Sequence, residues 1–230
     1  MREIVLDTET TGFEPAEGHR LVEIGCIELL NHMPTGRTWH KYVNPERGMP
    51  VEAFAVHGLS DDFLRPQPKF AQLADDFLAF IKGATLVIHN ATFDLRFLNA
   101  ELEWANRPPL TGIKVVDTLM IARRKFPGSP ASLDALCRRF GVDNSNRTLH
   151  GALLDSEILA EVYLELIGGR QPDFGLAARQ PTPRAKGAAD GAWRARPRAT
   201  PLPSRLTEAE AAAHAAFIGT MGDLAIWRRQ

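Results

Sequence analysis

The chain has little cysteine, no long apolar run and almost no net charge. Its two cysteines, Cys26 and Cys137, lie far apart and outside any metal-type spacing. This speaks for two core thiols in a reducing cytoplasm. No apolar run reaches the ~18 residues that a membrane span needs. The opening Met1-Arg2-Glu3-Ile4-Val5-Leu6-Asp7 has too short an apolar stretch for a signal peptide, and that stretch ends in an acid. Neither a membrane segment nor export is expected. With 44% hydrophobic and 24% charged residues in 230, the composition is that of an ordinary globular chain.

The net charge of -1 conceals a division. Residues 1–170 hold 18 Lys+Arg against 23 Asp+Glu, and residues 171–230 hold 9 against 5. An acidic part is joined to a basic one, which suggests separate tasks. Residues 178–205 carry five prolines, seven basic residues and the single acid Asp190. Such a stretch buries too little apolar surface to offset its ordering entropy, so it reads as a flexible basic linker.

The first 170 residues read as one α/β domain. Residues 3–8, 21–30 and 38–43 are strand candidates separated by turn-rich segments, consistent with an antiparallel meander. Gly25 inside the second of them suggests a bulge. Phe70, Leu73, Ala74, Phe77, Leu78 and Ile81 recur at helical spacing. Short strands at 84–89 and 113–116 then alternate with helices at 92–104, from Ser132 to Phe140, and at 151–167. In the tail, Thr207 and Glu210 form a capping box for a short Ala-rich helix.

Three segments carry candidate chemistry. Asp7 and Glu9 end a strand two residues apart, so the period of two places both carboxylates on one face. Asp94 follows His89-Asn90-Ala91-Thr92-Phe93 and falls in the first turn of a helix, where the dipole favours an anion. Asp155 follows His150-Gly151-Ala152-Leu153-Leu154 early in an amphipathic helix; facing the sheet, it requires a partner. His150 belongs on the loop that feeds this helix, free to swing over the site. Taken singly, each acid also reads as a turn or helix-start residue. Brought together, four carboxylates cannot all remain ionised without cations, since two charges ~4 Å apart repel by ~4 kcal/mol at an effective dielectric of ~20. Oxygen ligands suit Mg²⁺ or Mn²⁺, and two such ions balance four carboxylates. A two-metal site serves in-line phosphoryl displacement, with His150 positioned to take a proton from the attacking water.

Asp7-Thr-Glu9-Thr10-Thr-Gly12, His89-Asn-Ala-Thr-Phe93-Asp94 and His150-Gly-Ala-Leu-Leu-Asp155 resemble, in order and spacing, the three motifs of the DEDDh 3′–5′ exonucleases. The segments Pro50-Val-Glu52-Ala-Phe-Ala-Val-His57-Gly, Ser132-Leu-Asp-Ala-Leu-Cys137 and Asp143-Asn-Ser-Asn-Arg-Thr-Leu-His150 are similar to the proofreading subunits (epsilon) of bacterial DNA polymerase III. The match runs nearly continuously over residues 1–170. The resemblance implies a ribonuclease H-like α/β fold with a mixed five-stranded sheet flanked by helices. It implies that Asp7, Glu9, Asp94 and Asp155 hold two divalent ions, with His150 as general base. It also places Glu9, Thr10, Glu52, His57 and Phe93 around the terminal nucleotide.

An acidic catalytic domain lacks the basic track of a protein that grips nucleic acid alone. It suits an enzyme whose nucleic acid is held by another protein; the resemblance implies that this substrate is a DNA 3′ end and that the enzyme works in the cytoplasm at the replisome of the nucleoid. Gln171-Pro-Asp-Phe174-Gly-Leu176 reads either as a sliding-clamp-binding pattern or as a domain edge. Phe217, Ile218, Met221, Leu224, Ile226 and Trp227 either pack back on the domain or bind a partner. The resemblance favours the polymerase alpha subunit as that partner and leaves room for a small accessory subunit. The expected organisation is therefore an exonuclease domain at 1–170, a linker at 171–205 and a docking segment at 206–230. Two other functions use the same motifs: a free-standing RNA-trimming enzyme, which has no need of such a tail, and a scaffold, which has no need of the acids.

Overall fold

The computed structural model describes residues 1–168 and 206–221. The clamp-like pattern at 171–176, the linker and residues 222–230 lie outside the described residues.

Five strands form one mixed sheet in the order β3-β2-β1-β4-β5. The strands are β1 (Arg2–Thr10), β2 (Leu21–Leu30), β3 (Met33–Tyr42), β4 (Thr85–Ile88) and β5 (Val115–Asp117). β1 pairs antiparallel with β2, and β2 with β3; β1 and β4, and β4 and β5, run parallel. The helices are α1 (Val51–His57), α2 (Asp61–Leu64), α3 (Phe70–Ile81), α4 (Ala91–Trp104), α5 (Thr118–Lys125), α6 (Leu133–Phe140) and α7 (Ala152–Ile167). The meander and the later strand–helix alternation match the expectation from sequence.

Residues on β1 alternate between two cores. Ile4 and Leu6 pack with Phe70, Phe77, Phe97 and Leu98 of α3 and α4. Val5 packs with Leu159, Ala160 and Tyr163 of α7. Each fully buried large side chain contributes ~1.5–3 kcal/mol, so the central strand is clamped from both faces. A third cluster, with Ala122, Leu136, Cys137 and Val162, joins α5 and α6 to α7. The buried Glu101 of α4 takes a two-pronged bond from Arg20 at 2.8 Å for each contact, and this ties α4 to the start of β2. Cys26 and Cys137 are buried free thiols.

Several boundaries differ from expectation. β3 starts at Met33 rather than at residue 38. Its first residues include Pro34 and Gly36, which an edge strand tolerates because one side of it needs no ladder bonds. β5 is shifted to Val115–Asp117. The short helices α1, α2 and α5 carry no long periodic pattern. Local caps hold two of them: the Ser60 hydroxyl accepts from Phe63 N–H, and the Asp117 carboxylate accepts from Leu119 and Met120 N–H. In the tail, Thr207 and Glu210 form the expected capping box, and α8 (Glu208–Thr220) follows it.

Gly25 does not mark a bulge. It pairs in register with Asp7 on one side and His40 on the other, and the irregularities fall at Glu9/Thr10 and Ile27/Leu29. A Cβ at Gly25 would lie 2.3 Å from the backbone of Ala152. The glycine therefore lets the first turn of α7 press directly on the sheet opposite Asp7, and Ser156 seals the contact by donating to the Gly25 carbonyl at 3.0 Å. Gly25→Ala is expected to cost ~1–3 kcal/mol through overpacking, read as a lowered midpoint of thermal unfolding. An unchanged midpoint would mean that this close approach is not part of the folded protein.

Candidate active site

The site lies where β1, α4, α7 and the loop before α7 converge. Asp7 and Glu9 share the α7 face of β1 with Val5, as the strand period requires. Asp94 stands in the first turn of α4 and Asp155 in the first turn of α7, both buried. A cleft of about 510 Å³ is lined by all four acids and His150. Among the described residues, one ligand atom each from Glu9, Asp155 and His150 lie within 4.8 Å of one another.

The start of α4 is set by two interactions that the sequence reading passed over. Asn90 adopts a left-handed conformation (φ 66°) between β4 and α4. The Asp117 carboxylate accepts from Asn90 and Ala91 N–H at 3.2 Å each. The Thr8 hydroxyl then donates to Asp94 Oδ1 at 2.7 Å. Thr8 and Asp117 thus hold Asp94 beside β1. Their signal in the sequence was weak, because Thr in a strand and Asp before a helix are common structural residues.

Arg147 is the other residue that sequence reasoning missed. Its guanidinium donates to both oxygens of Asp155, at 2.5 and 2.7 Å, and to Asp134 Oδ1 at 2.8 Å. It is the partner that a buried Asp155 requires. Nη2 of Arg147 also lies 2.8 Å from His150 Nδ1. His150 is on the loop, as expected, yet it is tethered: its N–H donates to the Val56 carbonyl at 3.0 Å. Its side chain is half exposed at the mouth of the cleft.

The electrostatics are those of crowded anions. Burial, followed by the charges of Asp94, Glu9 and Asp155, pushes Asp7 well above the carboxylate range. Burial, together with the charges of Asp155 and Glu23, raises Glu9 to about 8. Burial raises Asp94 to about 7, against the pull of the Thr8 hydrogen bond. Asp155 is opposite: burial pushes it up, but the nearby His150 ring and the Arg147 guanidinium outweigh this and hold it below the usual range. Three carboxylates that resist ionisation beside a fourth that is ionised fit a divalent cation, which would supply the missing positive charge. The donors are mainly oxygens, and they fit a hard ion.

An adjoining pocket of about 460 Å³ shares Thr8, Glu9 and Phe93 with the cleft. Thr10, Glu52 and His57 line it, so all five residues expected around a nucleotide border this one space. Its walls include Pro50, Ala53, Val56 and the exposed Phe13. His57 is buried, its Nδ1 accepts from Leu59 N–H at 3.1 Å, and its Nε2 makes no hydrogen bond of ordinary geometry among the described residues. The joined spaces therefore offer a largely apolar chamber beside a cation-demanding cleft.

The exonuclease family profile matches residues 4–163. The chain is 56% identical over 179 residues to DNA polymerase III subunit epsilon of Rickettsia conorii, covering 76% of this chain and 78% of that protein. It is 50% identical over 195 residues to the subunit of the same name from Escherichia coli, covering 82% and 80%. Among solved structures, exonuclease X in complex with 5′ overhanging duplex DNA has a TM-score of 0.57 at 24% identity, over 72% of this chain and 90% of that one. The nuclease domain of 3′hExo, a DEDDh family member bound to rAMP, has a TM-score of 0.62 at 21% identity, over 72% and 91%. These structures share the ribonuclease H-like fold with this chain. The chain belongs to the exonuclease family, in the group of the DNA polymerase III epsilon subunits.

Proposed function

We propose that this protein is the proofreading 3′–5′ exonuclease subunit of a bacterial replicative DNA polymerase, removing 3′-terminal nucleotides from DNA. The observation that carries this reading is the convergence of Asp7, Glu9, Asp94 and Asp155 on one cleft beside a nucleotide-sized pocket. In the proposal these four carboxylates hold two divalent ions, Mg²⁺ or Mn²⁺. When bound, the ions supply charge neutralisation at the scissile phosphate and activation of a water.

The chain's own residues do the rest. The apolar pocket takes the terminal base and sugar, with Phe93 and the Thr8–Thr11 backbone as walls and with Glu52 and His57 as polar contacts. His150, at the mouth of the cleft, takes the proton of the attacking water as general base. The pocket admits an unpaired terminal nucleotide; extracting a paired one costs a few kcal/mol. Selectivity for mispaired ends thus follows without reading of sequence.

The names of the relatives and the basic tail together support a polymerase-bound enzyme over a free-standing ribonuclease. α8 exposes Phe217, and Met221 just after its end is exposed too, which suits docking on the polymerase alpha subunit. Residues 171–176 are proposed to touch the sliding clamp, and the catalytic domain is left open to a small accessory subunit. Among the described residues no helix is long and apolar enough to cross a membrane. In the proposal the protein works in the cytoplasm, at the replisome. The four-acid site disfavours a purely structural scaffold.

Three outcomes are expected. Asp7→Asn should abolish metal-dependent release of 5′-mononucleotides from a labelled primer while leaving the circular dichroism spectrum unchanged, and His150→Gln should lower kcat by about 10²–10⁴-fold with little change in KM. Full activity in either variant would remove that residue from its proposed role. The second outcome concerns pH. Because folding raises Glu9 to about 8 and Asp94 to about 7, the metal-free folded state binds more protons than the unfolded chain between ordinary carboxylate values and those values. Their contribution is therefore complete at acid pH and lost as pH climbs toward 8. In chelator, the site should destabilise the protein progressively from about pH 4 to 8, and Mg²⁺ should raise the unfolding midpoint more at pH 8 than at pH 6; an equal rise at both would contradict the burial of protonated acids. Third, deletion of residues 177–230, beyond the division of the chain after Leu176, should leave nuclease activity on single-stranded DNA but eliminate co-purification with the polymerase subunit. Retained co-purification would place the docking surface elsewhere.

A further inference from the structure

Arg147 does more than neutralise a charge. Its side chain is almost fully buried, and all three guanidinium nitrogens are engaged. Nε and Nη2 grip both oxygens of Asp155, Nη1 holds Asp134 of α6, and Nη2 faces His150 Nδ1 at 2.8 Å. A guanidinium only donates and is never deprotonated in proteins. A neutral His150 bonded to it must accept at Nδ1 and therefore carries its proton on Nε2. In that tautomer neither ring nitrogen has a free lone pair for the attacking water.

Nδ1 has a second neighbour. Asp155 Oδ2 lies 3.4 Å away. With the guanidinium drawn off, Nδ1–H can donate to that oxygen, and the lone pair moves to Nε2. The two arrangements exclude each other, because one nitrogen cannot accept and donate at once. The same movement frees the Asp155 oxygens that the fork occupies. Asp134 lies outside the four-acid set and remains as an anchor for Arg147.

We propose that Arg147 is a positioning residue that couples cation loading to the readiness of the base: it holds Asp155 and His150 in an idle arrangement and gives way, pivoting on Asp134, when a divalent cation takes Asp155. The inference rests on the metal and base roles proposed above. It makes Arg147 a competitor of the cation, so that removing the side chain tightens cation binding, whereas a plain structural support would loosen it when lost.

The test uses the full chain with ¹⁵N-labelled histidine, assigned against His150→Gln and recorded at about pH 9, above the ordinary histidine range. In chelator, His150 should show the Nε2–H tautomer, and saturating Mg²⁺ should convert it to the Nδ1–H tautomer. In Arg147→Met the Nδ1–H tautomer should be present without metal. An Nδ1–H tautomer in the metal-free wild type, or an unchanged tautomer in Arg147→Met, overturns the proposal. Should Arg147→Met fail to fold, Arg147→Lys keeps the charge but loses the fork, and Mn²⁺ binding is read by electron paramagnetic resonance. The lysine variant should bind roughly tenfold tighter, equivalent to ~1.4 kcal/mol of removed competition; weaker binding overturns the proposal. Absence of Mn²⁺ binding in every form, the wild type included, would instead overturn the metal site itself and this inference with it. Normal Mn²⁺ binding with an indifferent His150 would overturn the coupling alone.

Discussion

Mutual repulsion among buried carboxylates is the constraint on which this structure turns. β1, α4 and α7 deliver Asp7, Glu9, Asp94 and Asp155 to one cleft, and no arrangement of four ionised acids is stable there without positive charge. The protein meets part of that demand itself. Arg147 takes up Asp155, while burial keeps Glu9 and Asp94 protonated up to near-neutral pH. The remainder of the demand is a binding energy for divalent ions, held in store by the fold. A metal-requiring site is thus the expected product of this packing, and phosphodiester chemistry is its natural use.

The packing that enforces the crowding is extensive. Both faces of β1 are sealed by helices, so the strand cannot slide or twist to separate its acids. Gly25 allows α7 to sit against the sheet without a side chain between them, and this brings Asp155 toward Asp7. Asp117 and Thr8 pin the start of α4. Stability is spent at the site and recovered in the core, a division common where function needs an unfavourable local arrangement.

Much of this was legible in the sequence. The period of two in β1 put Asp7 and Glu9 on one face, and helix-start positions located Asp94 and Asp155. Hydrophobic spacing gave α3 and α7, and cap residues gave α6 and α8. What escaped depended on contacts between segments distant in the chain. Gly25 read as a bulge because a strand glycine carries no mark of the helix that packs on it 127 positions later at Ala152. Arg147 stood in plain view within Asp143-Asn-Ser-Asn-Arg-Thr-Leu-His150, but its tie to Asp155 requires the loop to fold back over α7. Helices α1, α2 and α5 escaped because they are short, and α2 and α5 rest on caps more than on periodicity.

The central claim is that the fold stores a demand for cations in partly protonated carboxylates. Calorimetric titration of the chelator-treated protein with Mn²⁺ near pH 6.5, repeated in buffers of different ionisation heat, measures both ion number and protons exchanged. The account predicts two ions bound per chain with net release of protons, which Glu9 and Asp94 surrender as the ions enter. Binding without proton release, or no binding at all, would contradict it.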